Sequence, residues 1–108
     1  MRSLRVSLHL NLSLTYIRAT NYPDAIKSAT AALELNPDGN DQGKAYSRRG
    51  KAYASSRNDT LAIEDFKKAI EVFSPELAET VKIDLDAARK RVKQRRDKEK
   101  KAYAQMFQ

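Results

Sequence analysis

Residues 15–37, TYIRATNYPDAIKSATAALELNP, are followed at residues 52–75 by a related stretch, AYASSRNDTLAIEDFKKAIEVFSP. Several residue types recur in the two stretches at a constant separation of 37 positions. The recurring pairs include Tyr16 and Tyr53, Ala25 and Ala62, Ile26 and Ile63, and Ala32 and Ala69. Alanines allow two helices to approach closely, and a tyrosine fills the space beside them. The chain therefore contains one supersecondary unit twice, which is typical of repeat proteins.

Signals for helix starts and stops divide these units. Residues 22–24, Tyr-Pro-Asp, place a proline where a helix can begin, and Asn58 or Asp59 can cap the equivalent helix of the second unit. Asn36-Pro37 ends the first unit, and the turn-rich residues 37–43, PDGNDQG, predict a loop before the next helix.

A last helix is predicted from about Pro75 to Met106, about 48 Å long at the usual rise per residue. Ser74 stands at its N-cap position, with a proline and a glutamate in the first turn. An apolar stripe covers the first half of this helix and stops before Lys93, so the first half should pack and the second should project into solvent. The stripe consists of Leu77, Val81, Leu85, Ala88 and Val92.

The N-terminal segment permits two interpretations. Every second residue from Leu4 to Leu14 is apolar, as in a half-buried strand, but the same residues also fit helical spacing. We predict a helix, because the repeat register requires one and a helix packed on several sides is apolar over much of its girth. Residues 1–23 contain three arginines and no acid, so a mitochondrial presequence is a minor alternative to a cytoplasmic location.

The charge is concentrated near the C-terminus. The formal net charge is +7, and residues 89–101, RKRVKQRRDKEKK, hold nine basic residues against Asp97 and Glu99. The rest of the chain carries 12 basic and 12 acidic residues. We consider three interpretations of this run, in order of preference: a solvated helix end with pairs such as Glu99 with Arg95 or Arg96, a helix that docks calmodulin, and a nucleic-acid contact.

The composition gives little indication of a catalytic site or a metal site. The chain has no cysteine, and His9 has no second histidine with which to share a metal. No nucleophile motif surrounds any serine. We expect no cofactor, no metal site and no catalysis by this chain.

The spaced residues resemble the tetratricopeptide-repeat (TPR) consensus over about residues 6–74. The positions that carry this resemblance are Tyr16, Ala25, Ala32 and Pro37, then Gly50, Tyr53, Ala62, Phe66 and Ala69. Residues 97–107, DKEKKAYAQMF, further resemble the end of TPR-containing immunophilins of the peptidyl-prolyl isomerase family, more closely the large cyclophilins. The resemblance implies an all-α fold with two helical hairpins, the family's second and third repeats, at residues 1–74 and a basic helix at 75–108.

In that family the repeats form a groove that holds the C-terminal Glu-Glu-Val-Asp of the ninety- and seventy-kilodalton heat-shock chaperones. The resemblance assigns three members of this carboxylate clamp: Asn11 from the second repeat, and Lys44 and Arg48 from the third. The first repeat and the isomerase domain have no counterpart here, so we expect a fragment with about half of the clamp. We also expect the apolar face of residues 4–17 to be exposed and to promote self-association.

The residue spacing agrees with this assignment. Lys44 and Arg48 share a helix face because they are four positions apart, and Asn11 and Arg48 are 37 apart, at equivalent positions of successive repeats. An arginine fork, a mobile lysine and an amide together suit the acidic end of a polypeptide. Arg49 and Lys51 are interpreted as ordinary surface charges.

Overall fold

The computed structural model describes residues 2–108, and five α-helices account for most of them. The helices are α1 (Arg2–Arg18), α2 (Tyr22–Glu34), α3 (Gly39–Ser55), α4 (Asp59–Val72) and α5 (Pro75–Met106). Helices α1 and α2 form one hairpin, α3 and α4 form a second, and α3 packs against both helices of the first. Helix α5 packs chiefly along α4. The predicted all-α fold is confirmed, and no strand occurs among residues 2–108.

The turns inside the two hairpins have the same geometry. Thr20 and Arg57, 37 residues apart, both adopt the left-handed conformation, with φ of 59° and 64°. In both turns the next residue donates its N–H to a tyrosine carbonyl at 2.8 Å: Asn21 to Tyr16 and Asn58 to Tyr53. The sequence repeat is therefore also a repeat of backbone conformation and hydrogen bonding.

The caps agree only partly with the prediction. Asn58 caps α4, because its Oδ1 accepts a hydrogen bond from the Leu61 N–H at 3.5 Å. Asp59, the other candidate, is buried and binds elsewhere. Ser74 occupies the N-cap position of α5 as predicted, but its side chain makes no capping hydrogen bond.

The loop predicted at residues 37–43 is shorter than expected. Helix α3 already begins at Gly39, and the Gln42 N–H donates to the Asp38 carbonyl at 2.7 Å. Asp41 lies in the first turn, where a carboxylate is favourable at the positive end of the helix dipole. Residues 39–43 are of types common in turns, yet they form the first turn of α3. Composition alone does not distinguish these two structures.

Helix α1 forms where the alternating pattern left the choice between helix and strand open, and the prediction of a helix is confirmed. One face packs against α2, where the Ser13 hydroxyl donates to the Ala25 carbonyl at 2.9 Å. The buried residues of α1 are Val6, Leu10 and Ser13. Leu4 and Leu8 remain 65% and 57% exposed, as the sequence predicts for the outer face.

The recurring alanines lie where the helices approach most closely. Four of them have no exposed surface: Ala25, Ala32, Ala62 and Ala69. Gly50 serves the same purpose, because a Cβ atom placed there would lie 2.6 Å from the ring of Phe66. Phe66 packs with Val81 and Leu85 in the main core between α4 and α5.

The apolar stripe of α5 differs from the prediction at its first member. Val81, Leu85 and Ala88 are buried as expected, and Ala78 joins them. Leu77, in contrast, is 41% exposed and lies at the edge of the packed face. Leu77 instead lines a groove between α1, α3 and α5.

A buried carboxylate fixes the middle of α5. Asp59 is 2% exposed and accepts hydrogen bonds from Arg91 and Arg95, each at 3.0 Å. Arg95, one of the two predicted partners of Glu99 on the same helix, instead binds a residue 36 positions earlier, at the start of α4. The basic segment is thus tethered to the repeats as far as Arg95, and beyond that residue α5 is exposed.

Candidate functional site

A groove of about 280 Å³ lies between α1, α3 and α5. Helix α3 contributes four polar side chains to it, α1 contributes an apolar pair, and the start of α5 completes the opposite wall. The lining residues are Lys44, Ser47, Arg48 and Lys51 from α3, Leu14 and Ile17 from α1, and Phe73, Leu77, Thr80 and Val81. The groove therefore has a cationic wall facing apolar walls.

Helical periodicity explains why α3 presents three cations together. Lys44, Arg48 and Lys51 are separated by four and three residues, so they follow one face of the helix. The small residues of α3, such as Ala45 and Ala52, are buried on its other faces. Close packing of the small residues leaves the long cationic side chains directed toward the groove. Lys51 was interpreted as an ordinary surface charge, but it lines this groove.

Arg48 has an anchored guanidinium. Its Nη1 donates a hydrogen bond to the backbone carbonyl of Leu10 on α1 at 2.7 Å. Partial burial lowers the pKa of Arg48, the positive charge of Arg18 lowers it further, and the negative charge of Asp41 opposes this change. The charged form therefore bears an electrostatic cost that a nearby anion would reduce.

No acid neutralises the cationic wall directly. Among residues 2–108, no salt bridge involves Lys44, Arg48 or Lys51, and no carboxylate lines the groove. The side chains of Lys44 and Lys51 are exposed at the groove surface. Asp41 acts on Arg48 from outside the lining, but three cations on one wall with no carboxylate in the lining create a positive potential that favours an anionic ligand.

Asn11 lies at the edge of this site rather than in its lining. It is exposed on α1, one helical turn before Leu14, and it directly follows the residue whose carbonyl binds Arg48. The Asn11 carbonyl accepts a hydrogen bond from the Thr15 hydroxyl at 2.9 Å. The structure thus brings Lys44 and Arg48 together in one groove, whereas Asn11, the third predicted member of the clamp, is not part of its lining.

Arg49 has a structural role that the sequence interpretation missed. Its Nε and Nη2 donate to the two carboxylate oxygens of Asp65, both at 2.8 Å, and its Nη1 donates to the Thr30 hydroxyl at 3.3 Å. The hydrogen bonds with Asp65 raise the pKa of Arg49, although burial opposes them. Arg49 also lies over the ring of Tyr46, with 5.7 Å to the centroid. The interpretation of Arg49 as an ordinary surface charge is wrong.

Other site chemistry is not apparent in the described part of the chain. Residues 2–108 contain no cluster of three histidine, cysteine, aspartate or glutamate side chains that could bind a metal ion. No helix within these residues has both the length and the apolar character needed to cross a bilayer.

Comparison with known proteins agrees with the helical-hairpin geometry. Residues 6–38 and 43–74 each match the family model of the tetratricopeptide repeat. Peptidyl-prolyl cis-trans isomerase FKBP4 of Bos taurus is 34% identical over 107 residues, which is 99% of this chain and 22% of that protein. Peptidyl-prolyl cis-trans isomerase D of Kluyveromyces lactis is 36% identical over 106 residues, 97% of this chain and 28% of that protein. The isomerase CYP7 of Saccharomyces cerevisiae is 40% identical over 65 residues, 59% of this chain and 16% of that protein.

The chain spans less than a third of the length of these relatives. The similarity lies in their TPR region and not in their catalytic isomerase domain, and it confirms the predicted resemblance to TPR-containing immunophilins. Two matched repeats, each folded as a helical hairpin, cover most of the chain, which therefore belongs to the tetratricopeptide-repeat family.

Proposed function

We propose that this chain is a protein-interaction module whose groove binds the acidic C-terminus of a heat-shock chaperone, of the Glu-Glu-Val-Asp type. The observation that carries the proposal is the cationic wall formed by Lys44, Arg48 and Lys51, which no carboxylate in the groove lining neutralises. A terminal carboxylate next to an aspartate side chain concentrates negative charge at one end of a peptide. Such an end complements this wall better than a neutral peptide does.

The three cations differ in exposure and in hydrogen bonding, so we assign them different roles. Arg48 is held by its bond to Leu10, so its other N–H groups offer a fixed fork to a carboxylate. Lys44 and Lys51 are exposed and can follow the ligand as mobile charges. A bound anion would also relieve the electrostatic cost that burial and Arg18 impose on Arg48.

The apolar walls of the groove would contact an apolar side chain of the peptide. Leu14 and Ile17 from α1 and Leu77 from α5 line the groove opposite the cations. A peptide that places an apolar side chain next to its acidic terminus can bury that side chain here. The valine before the last aspartate of Glu-Glu-Val-Asp meets this requirement.

Asn11 completes the proposed clamp as a hydrogen-bonding side chain at the groove edge. An asparagine amide can donate to a peptide carbonyl and accept from a peptide N–H, which suits a ligand in extended conformation. The similarity to the TPR region of peptidyl-prolyl isomerases supports a co-chaperone role. We propose a cytoplasmic location on the same basis.

Calorimetric titration with two peptides tests the proposal. A Glu-Glu-Val-Asp peptide with a free C-terminus should bind, and the same peptide with an amidated end should bind at least about tenfold more weakly, because amidation removes one negative charge and replaces one acceptor oxygen with an NH2 donor. Binding of the free peptide should also weaken as salt rises, since Lys44 and Lys51 are exposed. Equal affinity for the two peptides would refute the clamp.

Arg48→Ala should reduce the affinity for the free peptide, whereas Arg89→Ala should leave it unchanged. Arg89 is an exposed arginine of α5 that does not line the groove, so it controls for the loss of one positive charge.

A second candidate function uses the exposed end of α5. Tyr103, Met106 and Phe107 are 65%, 76% and 71% exposed, and the rings of Tyr103 and Phe107 lie 4.9 Å apart. A basic helix with an apolar tip suits an acidic partner such as calmodulin, within residues 89–107. Titration of the full chain with calmodulin, with and without calcium, tests it. A Tyr103→Ala, Phe107→Ala variant should then lose binding, whereas Lys44→Ala should retain it.

A further inference from the structure

Two more cavities extend the groove along the inner face of α5. The first adjoins the groove through two shared residues, Ile17 and Lys51, and also includes Asp84 and Arg91. The second adjoins the first through Arg91 and continues to Lys101. The three cavities therefore follow one path, which we call the α5 track, from the groove to the exposed end of the helix.

The spacing along α5 explains why these side chains share one path. Thr80, Asp84, Arg91 and Lys98 are separated by four or seven residues, so they follow one helix face. Opposite faces of α5 carry other lysines: Lys93 and Lys100 line none of the three cavities.

The far end of the α5 track is positively charged despite local acids. Its cations are Arg91, Arg95, Lys98 and Lys101, and the carboxylates beside them are Asp59 and Asp97. Asp59 holds Arg91 and Arg95 in place with bonds of 3.0 Å but carries only one charge against their two. Lys98 and Lys101 add further positive charge at an exposed surface.

The middle of the α5 track differs from both ends because it contains a carboxylate. Asp84 lies there with Ala54, Phe66 and Ala87, while Lys51 and Arg91 lie where this part joins the other two cavities. A ligand carboxylate here would be repelled by Asp84. The α5 track thus consists of a cationic groove, a short segment in which Asp84 offsets the cations at its ends, and a second cationic segment.

We propose that the α5 track binds an extended acidic polypeptide with two separate acidic clusters, one at its C-terminus and one upstream. This inference rests on the proposed function, because it takes the groove as the site of the C-terminal anchor. Thr80 and Lys98 are 18 residues apart on one helix, which corresponds to about 27 Å. An extended chain covers about 3.3 Å per residue, so the upstream cluster should lie about eight residues before the terminal carboxylate.

Three peptides with free C-termini test the inference by fluorescence anisotropy on the full chain. The first ends in the acidic anchor alone, the second adds an acidic cluster about eight residues upstream through a neutral spacer, and the third has the same composition with the cluster about three residues from the anchor. The second peptide should bind about fivefold to tenfold more tightly than the first, as two or three exposed ion pairs would give. The third should gain less, because its cluster faces Asp84.

Matched charge reversals assign the gain to the α5 track. A Lys98→Glu, Lys101→Glu variant should bind the first and second peptides with equal affinity. Its affinity for the first peptide should equal that of the wild-type chain. A Lys93→Glu, Lys100→Glu variant makes the same change in net charge outside the α5 track and should retain most of the difference between the two peptides.

The outcomes separate the two proposals. If the first peptide binds and the second binds no more tightly, the α5-track inference is wrong and the groove proposal stands. If both pairs of reversals remove the gain equally, the effect is one of overall charge, and the inference is also wrong. If the first peptide does not bind to the wild-type chain, the groove proposal itself fails. Tighter binding of a single-stranded oligonucleotide than of the second peptide, abolished by Lys98→Glu, Lys101→Glu, would assign the surface to nucleic acid instead.

Discussion

Arg48 and Leu10 are joined by a hydrogen bond of 2.7 Å, from the guanidinium Nη1 on α3 to the backbone carbonyl on α1. The bond links the two hairpins at the wall of the candidate groove. It also fixes the position of the one cation of the groove lining that is partly buried, whereas Lys44 and Lys51 are exposed. The proposed binding site and the packing of successive repeats therefore depend on the same side chain.

Arg48→Lys separates the charge of this residue from its geometry. Lysine keeps the positive charge but cannot both reach the Leu10 carbonyl and offer a planar fork to a carboxylate. We expect about tenfold weaker binding of the free-acid peptide, measured by calorimetry, and a further loss in Arg48→Ala. Full affinity in Arg48→Lys would show that charge alone matters at this position.

Gly50→Ala should destabilise the second hairpin. The new Cβ atom would lie 2.6 Å from the Phe66 ring, which is only 1% exposed and packs in the main core. Overpacking of this kind costs about 1–3 kcal/mol and the gain in helix propensity is at most about 1 kcal/mol, so we expect a net loss of up to about 2 kcal/mol. Gly39→Ala is the matched control, because the nearest atom to its Cβ is at an ordinary 3.4 Å. Urea unfolding should show a loss for the first variant only; equal stabilities would contradict the packing argument.

Arg49→Ala should cost more stability than Asp65→Ala. The carboxylate of Asp65 is 4% exposed and the Arg49 side chain 18%, so removal of the arginine strands the more deeply buried charge. We expect about 2–4 kcal/mol for Arg49→Ala, less for Asp65→Ala, and a double variant that costs less than the sum of the two. A double-mutant cycle by chemical denaturation measures this coupling; additive effects would mean that the pair contributes nothing specific.

Asp59→Asn should loosen α5 from the repeats. The substitution preserves the shape of the side chain but removes the charge that two arginines share, and both arginines are about half exposed. We expect a loss of about 1–2 kcal/mol in the free energy of unfolding. Hydrogen exchange should increase in residues 89–95. Asp86→Asn, an exposed acid of α5, should change neither quantity.

The exposed face of α1 should promote self-association. Leu4 and Leu8 lie one helical turn apart and are both more than half exposed, so they form part of an apolar surface that water solvates poorly. Sedimentation velocity should show concentration-dependent association. A Leu4→Glu, Leu8→Glu variant should reduce it, whereas Ile83→Glu, which changes a single exposed residue on α5, should not. A wild-type chain that stays monomeric at high concentration would contradict the prediction.

The sequence was sufficient to predict the hairpins because their determinants are local or periodic. The 37-residue separation identified the repeated unit, and the alanines at fixed positions in it are fully buried. The register also decided between helix and strand for residues 4–14. Details that depend on single turns were less certain: α3 starts at Gly39, inside the predicted loop, and the Ser74 hydroxyl does not cap α5.

The candidate site was partly accessible to the same reasoning. Lys44 and Arg48 share a helix face by spacing alone, and the structure places both in one groove. Lys51 follows the same spacing, three residues after Arg48. The sequence interpretation missed it, because a lysine on a helix is most often an ordinary surface charge. The apolar wall contributed by Leu77 could not be predicted, because its spacing fits the packed stripe of α5 equally well.

The sequence by itself determined which segments are helical, where the repeat begins again and which residues share a helix face, because these properties follow from backbone periodicity and short-range sterics. Only the tertiary structure decided which charges are neutralised. Arg49 forms an ion pair with Asp65, 16 residues away along the chain, and Arg91 and Arg95 pair with Asp59, more than 30 residues away. The cations that line the groove form no ion pair among residues 2–108. The reason is that ion pairing depends on how the helices pack, and packing brings together side chains whose separation along the chain carries no signal.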